Sequence, residues 1–362
     1  MSEQINTPKL RFPEFRDEWE SKEFKDIIKI NSGKDYKHLN IGKYPVYGTG
    51  GYMLSVSDYL YKNDAIGIGR KGTINKPYLL KGPFWTVDTL FYCTPLANND
   101  LSFLLNLFRK VNWKKYDEST GVPSLSKVTI SKIKCKVPII SEQEKIGTFF
   151  SKLDHQIELE EEKLELLEQQ KKGYMQKIFS QQLKFKDENG QYYTIWKAEK
   201  LGKLTDITTG SLDANAMVPN GKYKFFTCAR ETYEIDTYAF DTEALLISGN
   251  GANVGYIHYY QGKFNAYQRT YVLNNFKTNI TYLKYYLEKY LLKRIYSEKR
   301  DGNTPYITRS TLYDMEILIP SLEEQEKIGN FFNKIDNLIE LQTDKIEVLK
   351  QRKKGLLQKM FV

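Results

Sequence analysis

Residues 138–180 read PIISEQEKIGTFFSKLDHQIELEEEKLELLEQQKKGYMQKIFS, and residues 320–362 read PSLEEQEKIGNFFNKIDNLIELQTDKIEVLKQRKKGLLQKMFV. The two segments align without a gap, at a constant offset that Gln325 minus Gln143 gives as 182 residues. More than half of the aligned positions are identical, so chance does not explain the match. A repeat of this kind indicates that one structural unit occurs twice in the chain.

The stretches upstream of the two segments correspond only in outline. Trp19 and Gly33 in the first stretch match Trp196 and Gly210 in the second. Periodic Leu, Phe and Tyr predict one helix in each stretch, at residues 99–111 and 279–296. Apolar runs bounded by Gly and Asn indicate strands, among them residues 65–69, 89–93, 244–248 and 270–274.

The repeated segments have the apolar spacing of long helices that pack side by side. Alternating steps of four and three residues define a seam with two polar positions, which coincide in the two copies. A seam of this kind requires a partner helix, and the nearest partner for each copy is the other copy. The seam comprises Ile146, Phe150, Leu153, Ile157, Glu160, Leu164, Leu167, Lys171, Tyr174 and Ile178, and then Ile328, Phe332, Ile335, Ile339, Gln342, Ile346, Leu349, Lys353, Leu356 and Met360.

The polar seam positions favour an antiparallel orientation. A parallel pairing would oppose Lys171 to Lys353, which is a buried repulsion between like charges. An antiparallel pairing would oppose Glu160 to Lys353 and Lys171 to Gln342. We therefore predict that these four residues fix the register of an antiparallel coiled coil, with a strand-rich domain at each end of a rod. Two independent surface helices with incidental heptads are the alternative.

The predicted fold class is α+β. Two strand-rich domains alternate with two long helices that pack as an antiparallel coiled coil, and the whole chain is a pseudo-twofold internal repeat. A chain of 362 residues is long enough for two separate cores. The predicted boundaries are 1–140 and 183–320 for the domains and 141–182 and 321–362 for the helical regions.

Composition permits a nucleic-acid partner without proving one. Lys and Arg outnumber Asp and Glu by 54 to 45, which gives a formal net charge of +9 and a pI near 9.0. Such a charge favours polyanions, although a codon bias would produce the same excess. Three distant cysteines give neither a disulfide framework nor a CxxC metal pair. No signal peptide or membrane-length apolar run is present, so we expect a soluble cytoplasmic protein.

The motifs that could support catalysis are incomplete. Residues 67–72 satisfy GxGxxG, but Pro77 follows where a Rossmann unit needs a helix, so we predict a Gly-rich turn. Residues 249–255 carry a similar turn in the second domain. The chain has neither a P-loop nor the NPPY or DPPY element of an adenine methyltransferase. The three histidines have no neighbouring ligand at metal spacing. We therefore predict no catalytic residue and no metal site.

Polar and basic residues on the turns of the two domains remain as candidates for binding a polyanion. Lys, Ser and Thr suit phosphates, whereas Arg, Asn and Gln can pair with the edges of guanine and adenine. For any one of them a solvated loop residue is the alternative. The candidates are Lys34, Tyr36, Lys37, Arg70, Lys71, Ser124, Ser126 and Lys127 in the first domain, and Arg230, Asn250, Asn253, Gln268, Arg269, Thr304, Thr308 and Arg309 in the second.

Taken together, the chain resembles the specificity subunits of type I restriction-modification systems over essentially its whole length. The resemblance rests on the two EQEKIG…FF…KKG…Q.F runs, on the GRKGTINKP and SGNGANVGY turns, and on PFWTVDTLFY. It implies that the strand-rich domains are target recognition domains, each reading one part of a bipartite site in double-stranded DNA. The helices would then act as a ruler across an unread spacer.

The resemblance also implies partners. Two modification subunits would bind, carrying S-adenosylmethionine and methylating adenine, and two restriction subunits would add cleavage driven by ATP and Mg. No cofactor is expected in this chain itself. A fused methylase or nuclease is one competing interpretation, and the absence of its motifs argues against it. A non-catalytic coiled-coil scaffold that presents two protein-binding modules is the other.

Overall fold

The computed structural model describes residues 7–298 and 304–362, and the chain divides into two compact units. Unit 1 comprises Met1–Glu162 with Asp344–Val362, and unit 2 comprises Lys163–Thr343. Within the described ranges no helix combines the length and the hydropathy needed to cross a bilayer.

Unit 1 is built on a four-stranded antiparallel sheet with the strand order β2-β8-β5-β6. A three-stranded sheet, β4-β3-β7, and a ribbon of β1 and β9 lie in the same unit. The elements, in chain order, are β1 Glu20–Glu23, α1 Phe24–Ile27, β2 Ile28–Ser32, β3 Ile41–Gly48, β4 Gly51–Val56, β5 Ala65–Gly69, β6 Tyr78–Leu80, β7 Trp85–Thr86, β8 Leu90–Pro95, α2 Leu101–Lys110, a 3-10 turn Trp113–Tyr116, α3 Lys127–Ser131, β9 Lys134–Val137 and α4 Ile140–Phe179, whose last part belongs to unit 2.

Unit 2 is built on a six-stranded sheet with the order β11-β16-β14-β15-β12-β13, and β10 pairs with β17 in a separate ribbon. Its elements are β10 Lys197–Lys200, α5 Leu201–Leu204, β11 Asp206–Thr209, a 3-10 turn Ala214–Ala216, β12 Tyr223–Phe226, β13 Tyr233–Ile235, β14 Phe240–Ser248, β15 Ile257–Ala266, β16 Thr270–Asn274, α6 Ile280–Glu298, α7 Arg309–Tyr313, β17 Glu316–Ile319 and α8 Leu322–Met360, whose last part belongs to unit 1.

The predicted strands and helices are confirmed. Residues 65–69 form β5 and residues 270–274 form β16. The predicted strand 89–93 overlaps β8, and the predicted strand 244–248 lies within β14. The helices predicted at 99–111 and 279–296 correspond to α2 and α6. The first Gly-rich motif, 67–72, comprises the end of β5 and the turn after it, whereas the second, 249–255, is a turn that follows β14. In the described part of the chain no dinucleotide-type helix follows either motif.

The Gln of each EQEKIG motif attaches a long helix to its unit by the same hydrogen bonds. In unit 1, Gln143 Oε1 accepts from the Asp100 N–H (3.1 Å), and its Nε2 donates to the Pro138 carbonyl (2.9 Å). In unit 2, Gln325 accepts from the Asn279 N–H and donates to the Pro320 carbonyl, both at 2.9 Å. These buried amides therefore account for part of the sequence repeat.

The glycine of the motif has a steric role in unit 1. A Cβ on Gly147 would lie 2.2 Å from Asp100 Oδ1, which accepts from the Phe103 N–H at the start of α2. That distance is far inside van der Waals contact, so α4 can approach the cap of α2 only through a glycine.

The first Glu of the motif contacts the tryptophan that precedes the first strand of each unit, but the surroundings of the two carboxylates differ. Glu142 accepts from Trp19 Nε1 at 3.4 Å and from Arg11 Nε and Nη2 at 2.7 Å each. Glu324 accepts from Trp196 Nε1 at 3.0 Å and, among the described residues, forms no salt bridge. Burial raises the pKa of Glu324, against the opposing effects of the Trp196 hydrogen bond and of nearby Lys184.

Each core contains the start of one long helix and the end of the other. In unit 1, Ile146 and Phe150 of α4 are buried with Phe361, which stacks on Phe103 at 5.2 Å between ring centroids. In unit 2 the equivalent residue of the other repeat, Phe179, packs between Trp196 and Phe332.

The long helices pack antiparallel within each unit, as predicted. In unit 1, Lys345 binds Glu160 (2.5 Å), whereas Lys353, farther along α8, binds Asp154, which lies earlier on α4. In unit 2, the Tyr174 and Phe331 rings lie 5.1 Å apart, and Lys171 Nζ is 2.7 Å from Asp336. The predicted seam positions are buried or half-buried, with Tyr174 exposed at 38%.

The predicted register is wrong by one heptad. Lys353 binds Asp154, six residues before the predicted Glu160, and Lys171 binds Asp336, six residues before the predicted Gln342. A lysine that is largely removed from water requires a carboxylate partner. The predicted register would have given Lys171 only an amide, whereas the observed register gives both lysines an aspartate that lies beside the seam.

Candidate nucleic-acid interface

Three chain segments of unit 1 meet at one place. The Leu125 N–H donates to the Arg70 carbonyl (2.9 Å), and the Arg70 N–H donates to the Thr89 carbonyl (2.8 Å). Lys71 and Ser124 form an isolated antiparallel bridge. We call this place junction 1 and define it by residues 69–72, 86–90 and 123–127.

Unit 2 has the same arrangement. The Ile307 N–H donates to the Gly249 carbonyl (2.8 Å), and the Gly249 N–H donates to the Arg269 carbonyl (2.9 Å). Asn250 forms an antiparallel bridge with Tyr306, the residue that the repeat aligns with Ser124. Junction 2 therefore comprises residues 249–251, 266–270 and 305–309.

The glycines that match in the two units hold the central segment of each junction. A Cβ on Gly33 would lie 2.0 Å from the Val87 carbonyl oxygen, and one on Gly210 would lie 1.9 Å from the Ala266 oxygen. Their N–H groups donate to Leu90 and to Thr270, at 3.1 Å each. Only glycine permits this approach of two backbones, which explains why Gly33 and Gly210 recur.

Junction 1 brings together five of the eight candidates of the first domain. They line a cavity of about 400 Å³ in which the Arg70 and Lys127 cationic groups lie 6.0 and 5.8 Å from the centre of the Phe91 ring. Glu118 also lines it, and hydrogen bonds from Thr129 and Ser126 lower the pKa of its carboxyl. The five candidates are Arg70, Lys71, Ser124, Ser126 and Lys127.

The other three candidates of the first domain lie outside this cavity. The Lys34 N–H donates to the Thr86 carbonyl (2.8 Å), so its backbone adjoins the central segment of junction 1. Lys34 and Lys37 are exposed. Tyr36 is half-buried against the cluster that contains Trp85, so packing accounts for at least part of its ring.

In the second domain, Asn250, Gln268, Arg269, Thr308 and Arg309 belong to junction 2. Asn253 and Arg230 lie on its border, and the side chains of Asn253 and Gln268 are held by hydrogen bonds. Asn253 Nδ2 donates to the Cys228 carbonyl at 3.1 Å. Gln268 Nε2 donates to Asp213 Oδ1 at 2.9 Å. Arg230 lies 5.4 Å from the centre of the Tyr256 ring, and Thr304, which begins the described chain after residue 303, is exposed.

Two candidates have a structural role that the sequence interpretation missed. Ser126 Oγ accepts from the Thr129 N–H (3.1 Å) at the start of α3, and Thr308 Oγ1 accepts from the Thr311 N–H (3.2 Å) at the start of α7. They occupy equivalent positions of the repeat and cap equivalent helices. The sequence signal for this role is a Ser or Thr that lies three residues before a Thr at the start of a short apolar run, a pattern that indicates a helix N-cap.

The cationic candidates form no salt bridge within the described residues, although Glu118 lines the same cavity as three of them. All of these cationic residues are exposed. Exposed cations without a carboxylate partner are available to an external anion. They are Lys34, Lys37, Arg70, Lys71, Lys127, Arg230, Arg269 and Arg309.

Comparison with known proteins assigns these units to a family. The model of the type I restriction modification DNA specificity domain matches residues 16–169 and 194–351, which is most of the chain. The chain belongs to this specificity family. The two matched regions confirm that the specificity domain occurs twice.

Relatives of this specificity-family member carry the same description. The specificity subunit of the Escherichia coli type I restriction enzyme EcoDI is 41% identical over 150 residues, which cover 41% of this chain and 32% of that protein. The putative MjaX specificity subunit of Methanocaldococcus jannaschii is 26% identical over 97% of this chain and 87% of its own length. These names confirm the predicted resemblance to the specificity subunits of type I restriction-modification systems.

A solved structure confirms the fold. The S subunit of a type I restriction-modification system from M. genitalium superposes with a TM-score of 0.72, covering 98% of this chain and 99% of that one. Sequence identity in this comparison is 17%, so the likeness concerns the fold alone. The predicted α+β architecture with long helices is therefore confirmed.

Proposed function

We propose that this chain reads a bipartite, asymmetric site in double-stranded DNA, with one half-site for each recognition domain. The observation that supports this most directly is the recurrence of a junction with unpaired cations in both units. Phosphates attract such cations whatever the sequence, while the Arg, Asn and Gln side chains beside them can pair with base edges. Two junctions of one architecture but different side chains would read different half-sites.

The chemistry of the two junctions supports the asymmetry. At the bridge positions, junction 1 carries Lys71 and Ser124, whereas junction 2 carries Asn250 and Tyr306. A lysine acts as a point charge, whereas an asparagine can make two directed hydrogen bonds to adenine. Each of the two predicted domains, residues 1–140 and residues 183–320, would recognise one half-site.

We also propose that the helical regions, 141–182 and 321–362, set the unread spacer and bind two modification subunits. Exposed apolar side chains recur at equivalent positions of α4 and α8, where a protein partner would cover them. These are Leu159 and Leu341, and Leu166 and Val348. The modification subunits would carry S-adenosylmethionine, two restriction subunits would supply ATP- and Mg-dependent cleavage, and the complex would act in the cytoplasm.

Domain replacement tests this proposal. Residues 1–140 would be exchanged for the corresponding domain of another family member, and the host methylome would be sequenced with each version. One half of the methylated motif should change while the other half and the spacer stay the same. If both halves changed together, the modular reading would be wrong.

A scaffold with two protein-binding modules is the alternative function. It predicts no salt-dependent affinity for a defined duplex, whereas neutralisation of phosphates gives a steep dependence of affinity on salt. Binding of the full chain, with its modification subunits, to one duplex at several salt concentrations separates the two.

A further inference from the structure

A fourth segment borders each junction. The Val87 N–H of junction 1 donates to the Tyr47 carbonyl (3.0 Å), and the Tyr267 N–H of junction 2 donates to the Phe226 carbonyl (2.9 Å). In both units this contact follows a short parallel pairing, of β3 with β7 and of β12 with β15. Residues 48–53, from the end of β3 to the start of β4, and residues 227–231, which follow β12, therefore occupy equivalent places.

In unit 1 the fourth segment is the tip of the hairpin formed by β3 and β4. Tyr78 donates its hydroxyl to the Gly48 carbonyl at 2.6 Å and holds the base of the tip. Thr49 Oγ1 lies 3.7 Å from the position that a Cβ on Gly72 of junction 1 would occupy. A Cβ on Gly50 or Gly51 would meet no atom within 4 Å, so the tip faces open space beside the cations of junction 1.

The tip carries two large apolar side chains in contact with water. Tyr52 is 63% exposed and Met53 is 50% exposed. The Met53 sulfur would lie 2.7 Å from a Cβ on Gly48, so the glycine makes room for this side chain at the tip. Neither residue belongs to the buried clusters of unit 1. Tyr52 lies beside the Tyr47 ring and Met53 beside Gly48, so both side chains give the tip exposed apolar surface, which is a common mark of a binding surface.

We propose that Tyr52 and Met53 read base pairs of the first half-site by apolar contact with thymine methyl groups in the major groove. This inference rests on the proposed function. The neighbouring Arg70 and Lys71 would bind phosphates of the duplex at junction 1. An apolar side chain makes no favourable contact with a phosphate, so Tyr52 and Met53 would contact the bases instead. The apolar feature of a base-pair edge is the thymine methyl group, so a tip that faces the duplex selects for it.

The equivalent segment of unit 2 has the opposite chemistry. It carries Arg230, whose guanidinium lies 5.4 Å from the centre of the Tyr256 ring, and Cys228, whose thiol donates to the Arg269 carbonyl at 3.4 Å. An arginine at this place favours guanine, which offers two acceptors in the major groove. The same position would thus read different bases in the two half-sites.

Selection from a pool of random-sequence duplexes tests the role of the tip. The full chain, purified with its modification subunits, would be compared with the double variant Tyr52→Ser, Met53→Ser. We expect the preference for thymine to fall roughly five- to tenfold at one or two adjacent pairs of one half-site, the lower end of the usual mismatch effect. The other half-site and the salt dependence of affinity should not change, because no phosphate contact is lost.

Ile41→Ser is the matched control, because Ile41 is an apolar residue of the same hairpin, 96% exposed, at the end of β3 far from the tip. It should leave the selected motif unchanged, and Met53→Leu should retain the thymine preference. A double variant that selects the same first half-site with equal strength would refute the role of the tip. So would a uniform loss of affinity with a smaller salt dependence, which indicates a phosphate contact. A wild-type complex that selects no motif would instead refute the proposed function.

Discussion

Exchange of one buried glutamate in each unit for glutamine should change stability in opposite directions. Glu142 is fully buried, and it accepts two 2.7 Å hydrogen bonds from Arg11, whose side chain is 13% exposed. Glu142→Gln removes the charge that compensates Arg11. Breaking a buried pair from one side costs roughly 3–5 kcal/mol, and the partial exposure of Arg11 places the loss near about 3 kcal/mol.

That loss can be converted to a shift in melting temperature. Unit 1 comprises about 180 residues. For a unit of this size each kcal/mol corresponds to roughly 2–4 °C, so Glu142→Gln should lower the transition of unit 1 by about 6–12 °C. Thermal unfolding of the full chain at neutral pH, followed by tryptophan fluorescence, measures the shift.

Glu324→Gln should instead raise the melting temperature at neutral pH. Burial raises the pKa of Glu324 above its ordinary value, so the folded state binds a proton more readily than the unfolded state does. The stabilising contribution of protonation is complete below the unfolded pKa and is lost as the pH rises through the folded pKa. Glutamine removes this loss and keeps an oxygen for Trp196 Nε1. The gain should therefore shrink as the pH is lowered.

Equal decreases in melting temperature from Glu142→Gln and Glu324→Gln would refute this reasoning. They would show that the ion pair with Arg11 does not make Glu142 more stabilising than Glu324. A gain from Glu324→Gln that stayed constant with pH would contradict the titration of the carboxylate. Arg11→Met, which removes the cation and keeps an unbranched side chain, should leave Glu142 buried without its partner and reproduce most of the loss from Glu142→Gln.

Further predictions concern binding and the helices. Lys71→Ala should reduce the magnitude of the slope of log affinity against log salt by about 0.9, because one phosphate contact is lost. Arg269→Ala should weaken binding by about 1–3 kcal/mol and reduce the base preference at one pair of the second half-site. Titration of each variant complex with duplex DNA measures both effects. Asp154→Asn should destabilise its unit more than Asp336→Asn does, because a second carboxylate remains beside the lysines near Asp336; equal shifts in urea unfolding would contradict this. Four residues inserted after Glu162 add about 6 Å and a rotation of about 40°, so the methylated motif should keep its half-sites and gain about one or two base pairs of spacer; an active variant with an unchanged spacer would refute the ruler model.

The repeat and the secondary structure could be predicted because their signals are local. The two copies of the helical segment align without a gap, and the period of the apolar residues distinguishes α4 and α8 from the strands. The antiparallel orientation followed from the seam lysines. Their partners did not, because a shift of one heptad aligns the same apolar positions. Charged residues such as Asp154 and Asp336, which pair with the seam lysines, distinguish one register from the next.

The candidate site was predictable where a backbone requirement accompanied the side chains. The Gly-rich turns that follow β5 and β14 marked both junctions, and Gly33 and Gly210 marked their central segments. A search for polar and basic residues could not find Tyr52 and Met53, because apolar side chains in a sequence usually indicate a core. Their exposure is a property of the folded hairpin.

The residues that recur in the two units and those that differ have separate locations. Gln143 and Gln325 make the same hydrogen bonds between a long helix and its unit, so each helix is attached in the same way. The bridge positions of the junctions, such as Lys71 and Asn250, differ in side chain but not in backbone contact. A junction held by backbone hydrogen bonds can change its side chains without changing its shape. Replacement of one recognition domain should therefore alter the bases that are read while leaving the attachment of the helices unaltered.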